Sequence, residues 1–407
     1  MRRYLTLLAL GAAILGAPAV AQLGLPRLSL PPLSVPTLPL SNTLDTARET
    51  VGETVQRLMT ARIERADRLL KRFPDLIELD ARGEPARRGE LLLLDTNPAE
   101  LRAAQDAGFV LSGTERMDSL DLTVTRLLLP RGLSLAQGEA LLRKAAPDAE
   151  AAADTLHFQS GAQLPSVLAA AASVQGASIS TPVGIIDGAP TQEVGEERGF
   201  AKGAPVASHH GSAVASLLAG AGVRDIRVAD IYGTDPAGGN AFALVRALDW
   251  LIGDKARVIS ISLAGPYNPV VGKAISTAQR KGAVIIAAVG NDGPAAPPAY
   301  PASYPGVVAV TAVDGRNRAL IEAGRAAHLD YAAPGADIFA QDKAGKKIRV
   351  RGTSYAVPLV AARAARALEH GNSWRATLDR EAEDLGPTGS DDQFGRGLLC
   401  RGCARSR

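Results

Sequence analysis

The chain has little of several things that usually announce a function. It holds only two cysteines, Cys400 and Cys403, both close to the end. A disulfide framework for the body of the molecule is excluded, and so is a Cys-based zinc site, since no second Cys/His cluster exists. The pair itself stays open between a small-loop disulfide and a redox role. Aromatics make up only 4% of residues, so the cores rest on Ala, Val, Leu and Ile. Charge of one sign is also missing: 45 basic against 42 acidic residues gives a net +3, too balanced to argue for nucleic acid. After the first residues no apolar run is long enough to span a bilayer.

What is present begins with an export signal. Arg2 and Arg3 precede an apolar run over residues 4–17, and Ala19-Val20-Ala21 supplies a small-x-small cleavage site. Residues 1–21 are therefore read as a signal peptide, and the mature protein as exported, periplasmic or secreted, with no transmembrane anchor. Residues 22–45 mix Leu, Pro and Ser and read as a semi-rigid, polyproline-like linker. Residues 46–74 form an amphipathic helix, with Thr46 and Glu49 as its capping box and Pro74 as its stop.

Residues 75–160 alternate strand and helix signals. A buried strand at 91–94 is followed by a helix started by Asn97-Pro98 and stopped by Gly108. Strands at 109–117 and 120–129 flank a turn at Asp118-Ser119, Ser134 caps a second helix, and residues 155–158 close the series. This β-α-β-β-α-β order is that of a small α+β, ferredoxin-like domain. Residues 161–179, rich in Ala, Ser and Gln, read as a linker. From 180 to 399 short apolar runs at 183–186, 226–231, 258–263, 283–289 and 307–312 alternate with helical stretches, which predicts a mostly parallel sheet covered by helices on both faces. Residues 400–407 form an Arg/Cys tail.

Sites in such sheets gather at the carboxyl ends of the strands. Asp187 closes the run at 183–186, His210 opens a helix, Asn291 follows the run at 283–289, and Ser354 stands in the turn Gly352-Thr353-Ser354-Tyr355-Ala356-Val357-Pro358, at the start of the last major helix. Singly, each has a bland role as a cap or turn former. Together they match one chemistry. A serine needs a base within hydrogen-bond reach, an imidazole titrates near neutrality, a carboxylate fixes its tautomer, and an amide can hold an oxyanion.

On these motifs the second half of the chain resembles the subtilisin-like serine peptidases, the subtilases. Val-Gly-Ile-Ile-Asp187-Gly, His210-Gly-Ser-Ala-Val-Ala-Ser, Ala287-Ala-Val-Gly-Asn291-Asp-Gly and Gly352-Thr-Ser354-Tyr-Ala-Val-Pro358 resemble the family's aspartate, histidine, asparagine and serine motifs. The resemblance implies Ser354 as nucleophile, His210 as base, Asp187 as its orienting partner and Asn291 as the oxyanion donor. It also implies that Ser262, Leu263, Ala264 and Gly265 accept a polypeptide substrate as an added strand. No metal or cofactor is implied. The domain over 75–160 resembles the family's inhibitory propeptide, which implies a precursor that cuts itself within 161–179. Two departures stand out: Gly188 follows the aspartate where the family usually has Ser or Thr, and Ala264 replaces the first of two glycines. They leave open a degenerate member that binds peptides without cutting, or an envelope interaction protein working through its Pro-rich region and helix.

Overall fold

The computed structural model describes residues 40–164, 178–371 and 373–403. The proposed signal peptide, most of the Pro/Leu-rich segment and the middle of the 161–179 linker lie outside them. The first element is the helix Leu40–Arg72, which begins six residues before the expected start at Thr46 (46 − 40). Leu40 and Leu44 extend the helical spacing upstream, so Thr46 lies inside the helix and is not its cap.

A five-stranded antiparallel sheet follows. Its main strands run in the order Glu150–Thr155, Pro85–Leu94, Leu122–Leu128, Val110–Met117, with a short strand Ile77–Leu79 also paired to Pro85–Leu94. That order is the ferredoxin-like one. Its helices, Pro98–Asp106 and Leu135–Ala145, start at Asn97 and Ser134, each in a complete capping box with Glu100 or Gln137. One expectation is corrected. The closing strand is Glu150–Thr155, not 155–158. The stretch Glu-Ala-Ala-Ala-Asp-Thr has weak strand propensity, and its pairing with Pro85–Leu94 overrides this. Residues Phe158–Gln159 pair elsewhere.

The second sheet has seven strands, all parallel: Tyr331–Pro334, Val308–Val313, Val284–Ala288, Val258–Ile261, Val183–Asp187, Ile226–Asp230 and Glu196–Gly199. Five of them were legible as apolar runs. The two edge strands were not. Glu196–Gly199 is charged and exposed, and Tyr331–Pro334 is short and ends in proline, as edges often are. Helices His209–Gly220 and Val357–Glu369 cover one face and Ala241–Gly253 and Pro269–Arg280 the other. The strand Val258–Ile261 ends before Ser262, and Leu263–Ala264 turns out of the sheet. Cys400 and Cys403 are joined in a disulfide. Among the described residues, no helix is long and apolar enough to cross a membrane.

Candidate active site

The carboxyl end of the strand Val183–Asp187 places Asp187, fully buried, beside the first turn of the helix His209–Gly220. Ser208 caps that helix through its hydroxyl to the Gly211 amide, which fixes the turn that carries His210. His210 Nδ1 lies 2.8 Å from Asp187 Oδ2 and 3.0 Å from Oδ1. The opposite ring nitrogen, Nε2, is buried with no hydrogen-bond partner. Beside the pair, burial and then the Asp187 charge push the Tyr355 hydroxyl far above its ordinary pKa, and Tyr232 is raised by the same causes in the same order. Both phenols stay neutral.

Ser354 is fully buried and sits in a short 3-10 turn, Thr353–Tyr355, one step before the helix that begins at Val357. It was expected to open that helix. Pro358, whose ring favours the first helical turn, sets the start later. The serine is thus no helix cap. Its Oγ donates to the Ser262 carbonyl at 3.0 Å, and the Ser262 hydroxyl donates back to the Ser354 carbonyl at 2.9 Å. An Oγ–Nε2 hydrogen bond to His210 is not formed.

Asn291, after the strand Val284–Ala288, is oriented by Thr353, whose N–H and hydroxyl both donate to Asn291 Oδ1, at 3.1 and 3.2 Å. That leaves its amide nitrogen aimed at one target. Asn291 Nδ2 donates to the Ser160 carbonyl oxygen at 2.5 Å, and the Ser354 N–H donates to the same oxygen at 3.0 Å. Two donors from separate elements converge on one peptide carbonyl. Gly352 makes the approach feasible. Its φ is +144°, and a Cβ there would lie 2.7 Å from Asn291 Nδ2 and 2.8 Å from the Ser160 oxygen.

The segment that delivers this carbonyl leaves the antiparallel sheet after Thr155 and crosses the site as an added strand. The His157 N–H donates to the Gly239 carbonyl and Tyr232 Oη donates to the His157 carbonyl. Phe158–Gln159 pairs antiparallel with Leu263–Ala264, and the Ser160 N–H donates to Ser262 O at 3.2 Å. Beyond the site, Ala162–Leu164 pairs with Lys347–Arg351. Ser262, Leu263 and Ala264 thus bond this segment of the chain. Gly265 pairs with Tyr300 instead, and contributes by its bareness: a Cβ there would lie 2.5 Å from the His157 ring. Gly161 is equally constrained, since a Cβ would meet the Tyr355 ring at 2.7 Å. The methyl of Ala264 lies against Gly290, 3.0 Å from where a Cβ would stand.

Sequence reasoning did not single out Gln159, Ser160, Tyr232 or Thr353. Gln159 Nε2 donates to Asp187 Oδ1 at 2.9 Å. Outside the strand, Arg65 of the long helix grips Asp292, the neighbour of Asn291, through both terminal nitrogens and lies 4.8 Å over the Phe158 ring.

The seven-stranded parallel sheet with its helices is that of a subtilisin-like fold. Residues 192–397 match the Subtilase family (Peptidase S8), and the chain belongs to it. His210, Asn291 and Ser354 lie inside that match; Asp187 precedes it. The chain is 29% identical over 199 residues to Minor extracellular protease Epr of Bacillus subtilis (strain 168), covering 47% of this chain and 30% of that one. It is 33% identical over 166 residues to Subtilisin of Bacillus pumilus, covering 38% and 59%. It therefore spans less than two thirds of the length of either relative. Fervidolysin from Fervidobacterium pennivorans, described as a keratinolytic enzyme related to subtilisin, has a similar structure. The TM-score is 0.65 at 17% identity, over 81% of this chain and 62% of that one, a likeness of fold.

Proposed function

We propose that the chain is an exported serine endopeptidase made as a precursor, and that residues 75–160 are its inhibitory propeptide. The observation that carries this reading is the Ser160 carbonyl oxygen, held by Asn291 Nδ2 and the Ser354 N–H while residues 158–160 lie along 262–264. Two donors aimed at one carbonyl beside a buried serine form an oxyanion hole around a bond to be cut. That bond is Ser160–Gly161, at the front edge of the linker expected from the sequence.

In this mechanism Ser354 Oγ turns from the Ser262 carbonyl toward His210 Nε2, which has no other partner. Oγ then attacks the Ser160 carbonyl carbon and its proton passes to Nε2. Charge develops on the oxygen between Asn291 and the Ser354 amide. The C–N bond breaks, Nε2 returns the proton to the Gly161 nitrogen, and water later releases Ser160 from the serine by the same route in reverse. Asp187 keeps the Nδ1 proton in place throughout. Polypeptides are the substrates, accepted in the groove that residues 156–160 fill in the precursor. Export agrees with the N-terminal segment and with an extracellular relative.

The test is N-terminal sequencing of the purified chain. The parent is expected to yield a fragment beginning at Gly161, while Ser354→Ala persists uncut. Trimming of the serine variant at the same bond, in a protease-deficient host, would refute self-cleavage. The Ser354 hydroxyl bound to Ser262 favours one other reading, a member that binds without cutting. Labelling of the parent by a fluorophosphonate, which needs an activated serine, rejects that reading.

A further inference from the structure

Asp187 is fully buried, and its Oδ1 gathers three donors: the Gly188 N–H at 2.7 Å, His210 Nδ1 at 3.0 Å and Gln159 Nε2 at 2.9 Å. The first two belong to the scaffold. The third belongs to the segment being cut, two residues before the bond. No scaffold hydroxyl takes its place. Gly188 has no side chain, and has no room for one, since a Cβ would lie 2.6 Å from Ser208 Oγ. That hydroxyl accepts the Gly211 N–H and makes no hydrogen bond to Asp187. A buried carboxylate needs its lone pairs filled, and a bond from a neutral donor to a charged acceptor is among the stronger ones.

We infer that the substrate completes this site: a glutamine as the second residue before the cleaved bond donates to Asp187, so that the enzyme processes its own Gln159-Ser160-Gly161 sequence and prefers polypeptides with glutamine at that position. This rests on the peptidase reading above. The donor is present in both chemical steps, because Gln159 stays attached to Ser160 while the acyl group sits on Ser354. It is a positioning group, acting on His210 through Asp187. When the N-terminal product leaves, Asp187 loses one of its three donors, and the free enzyme waits for a substrate that restores it.

The amide can be replaced by shapes that differ in one property. Methionine keeps the length and loses the donor. Glutamate keeps the shape and sets a second carboxylate against the buried one, which disfavours ionisation of the pair. In the full-length chain, the first-order rate of release of the fragment beginning at Gly161 is expected to fall about tenfold or more for Gln159→Met. Gln159→Glu should be slower still at pH 8, with the Glu-to-Gln rate ratio rising toward pH 5 as the new carboxyl takes up a proton and can donate. Docking is followed separately, by hydrogen exchange over residues 157–160 in a Ser354→Ala background, where Gln159→Met is expected to keep the segment docked although the lost hydrogen bond lowers stability. Equal release rates for Gln159→Met and the parent would overturn the inference. So would slowing that is matched by undocking of the segment in the uncut background, because the glutamine would then only hold the segment. If the parent releases no fragment and leaves casein intact, the peptidase reading fails and takes this inference with it. If casein is cut but the Met variant keeps pace, only this inference fails.

Discussion

The two sheets of the molecule solve burial differently. Every strand of the parallel sheet except Glu196–Gly199 is buried along most of its length, with the sheet's own helices on both faces. The antiparallel sheet brings helices for one face only. Leu91, Leu93 and Leu127 pack with Leu135, Leu142 and Phe109 from its own elements. Leu92, Leu94 and Val124, on the other face, join the core formed with Ala241–Gly253 and Pro269–Arg280. Polar links reinforce this seam: Arg87 to Asp235 at 2.5 Å, the Phe242 N–H to Asp154 at 2.8 Å, and Asn268 Nδ2 to the Ala153 carbonyl at 2.9 Å. The smaller region is thus completed by the larger, whereas the larger needs nothing in return for its own sheet. A region built this way suits a part that has to fold, serve once and leave.

The sharpest break of this comparison lies in the proposed chemistry, whose nucleophile, base and oxyanion donor all belong to the parallel region. His210→Ala and Ser354→Ala are each expected to lower turnover by on the order of 10⁶, the loss seen in subtilisin itself, while urea unfolding of the uncut chain changes little. Near-normal cleavage by either variant would end the assignment. Asn291→Leu removes one oxyanion donor and should cost about 10²–10³ in turnover with little change in Michaelis constant. A raised Michaelis constant with unchanged turnover would make it a binding residue instead.

Neighbouring leucines then test the seam. Leu92→Ala and Leu93→Ala both empty fully buried sites, and each should cost about 3 kcal/mol. In the Ser354→Ala chain, Leu92→Ala is expected to loosen the seam and leave the small region folded. Leu93→Ala is expected to unfold the small region itself. Hydrogen exchange over residues 98–106 separates the two outcomes.

The smallest net effect is expected on pH dependence, because two buried groups oppose each other. His157 is fully buried, and burial, outweighing the raising pull of the Thr155 and Gly239 backbone groups, pushes its pKa from 6.5 down to about 4. An imidazole freed by unfolding takes up a proton near 6.5, and the docked one only near 4. Its contribution is therefore full above pH 6.5 and is lost between 6.5 and 4, about 3 kcal/mol. Asp154, pushed by burial up to about 7, has the opposite slope, since its contribution is lost as pH rises from 3.8 to 7. Comparing His157 with His157→Leu in the uncut chain isolates the histidine. Parallel stability curves for the two would show that the ring does not titrate as described.

Much of this was readable in the sequence. The parallel region declared itself because strands buried on both faces are continuous apolar runs, and because Asp187, His210, Asn291 and Ser354 each follow a strand or open a turn. The small sheet was readable as an element order, since Asn97 and Ser134 cap their helices by local rules. Its last strand was misplaced because Glu150–Thr155 carries no strand signal of its own and is held by Pro85–Leu94. The role of residues 157–160 was beyond local rules altogether. Nothing in His-Phe-Gln-Ser marks it as the partner of Leu263–Ala264, more than a hundred positions later (263 − 159). The glutamine at 159 acquires meaning only beside the bare Gly188.

One feature of the added strand bears on how maturation responds to supply. Ser160 and Ser354 belong to the same chain, joined through its own backbone, so on the proposed reading the bond meets its nucleophile at a concentration set by that tether. First-order processing of this kind has the same half-time in a dilute compartment as in a crowded one. Expression level would then change how much enzyme is made, and leave untouched how long each molecule waits before it is switched on.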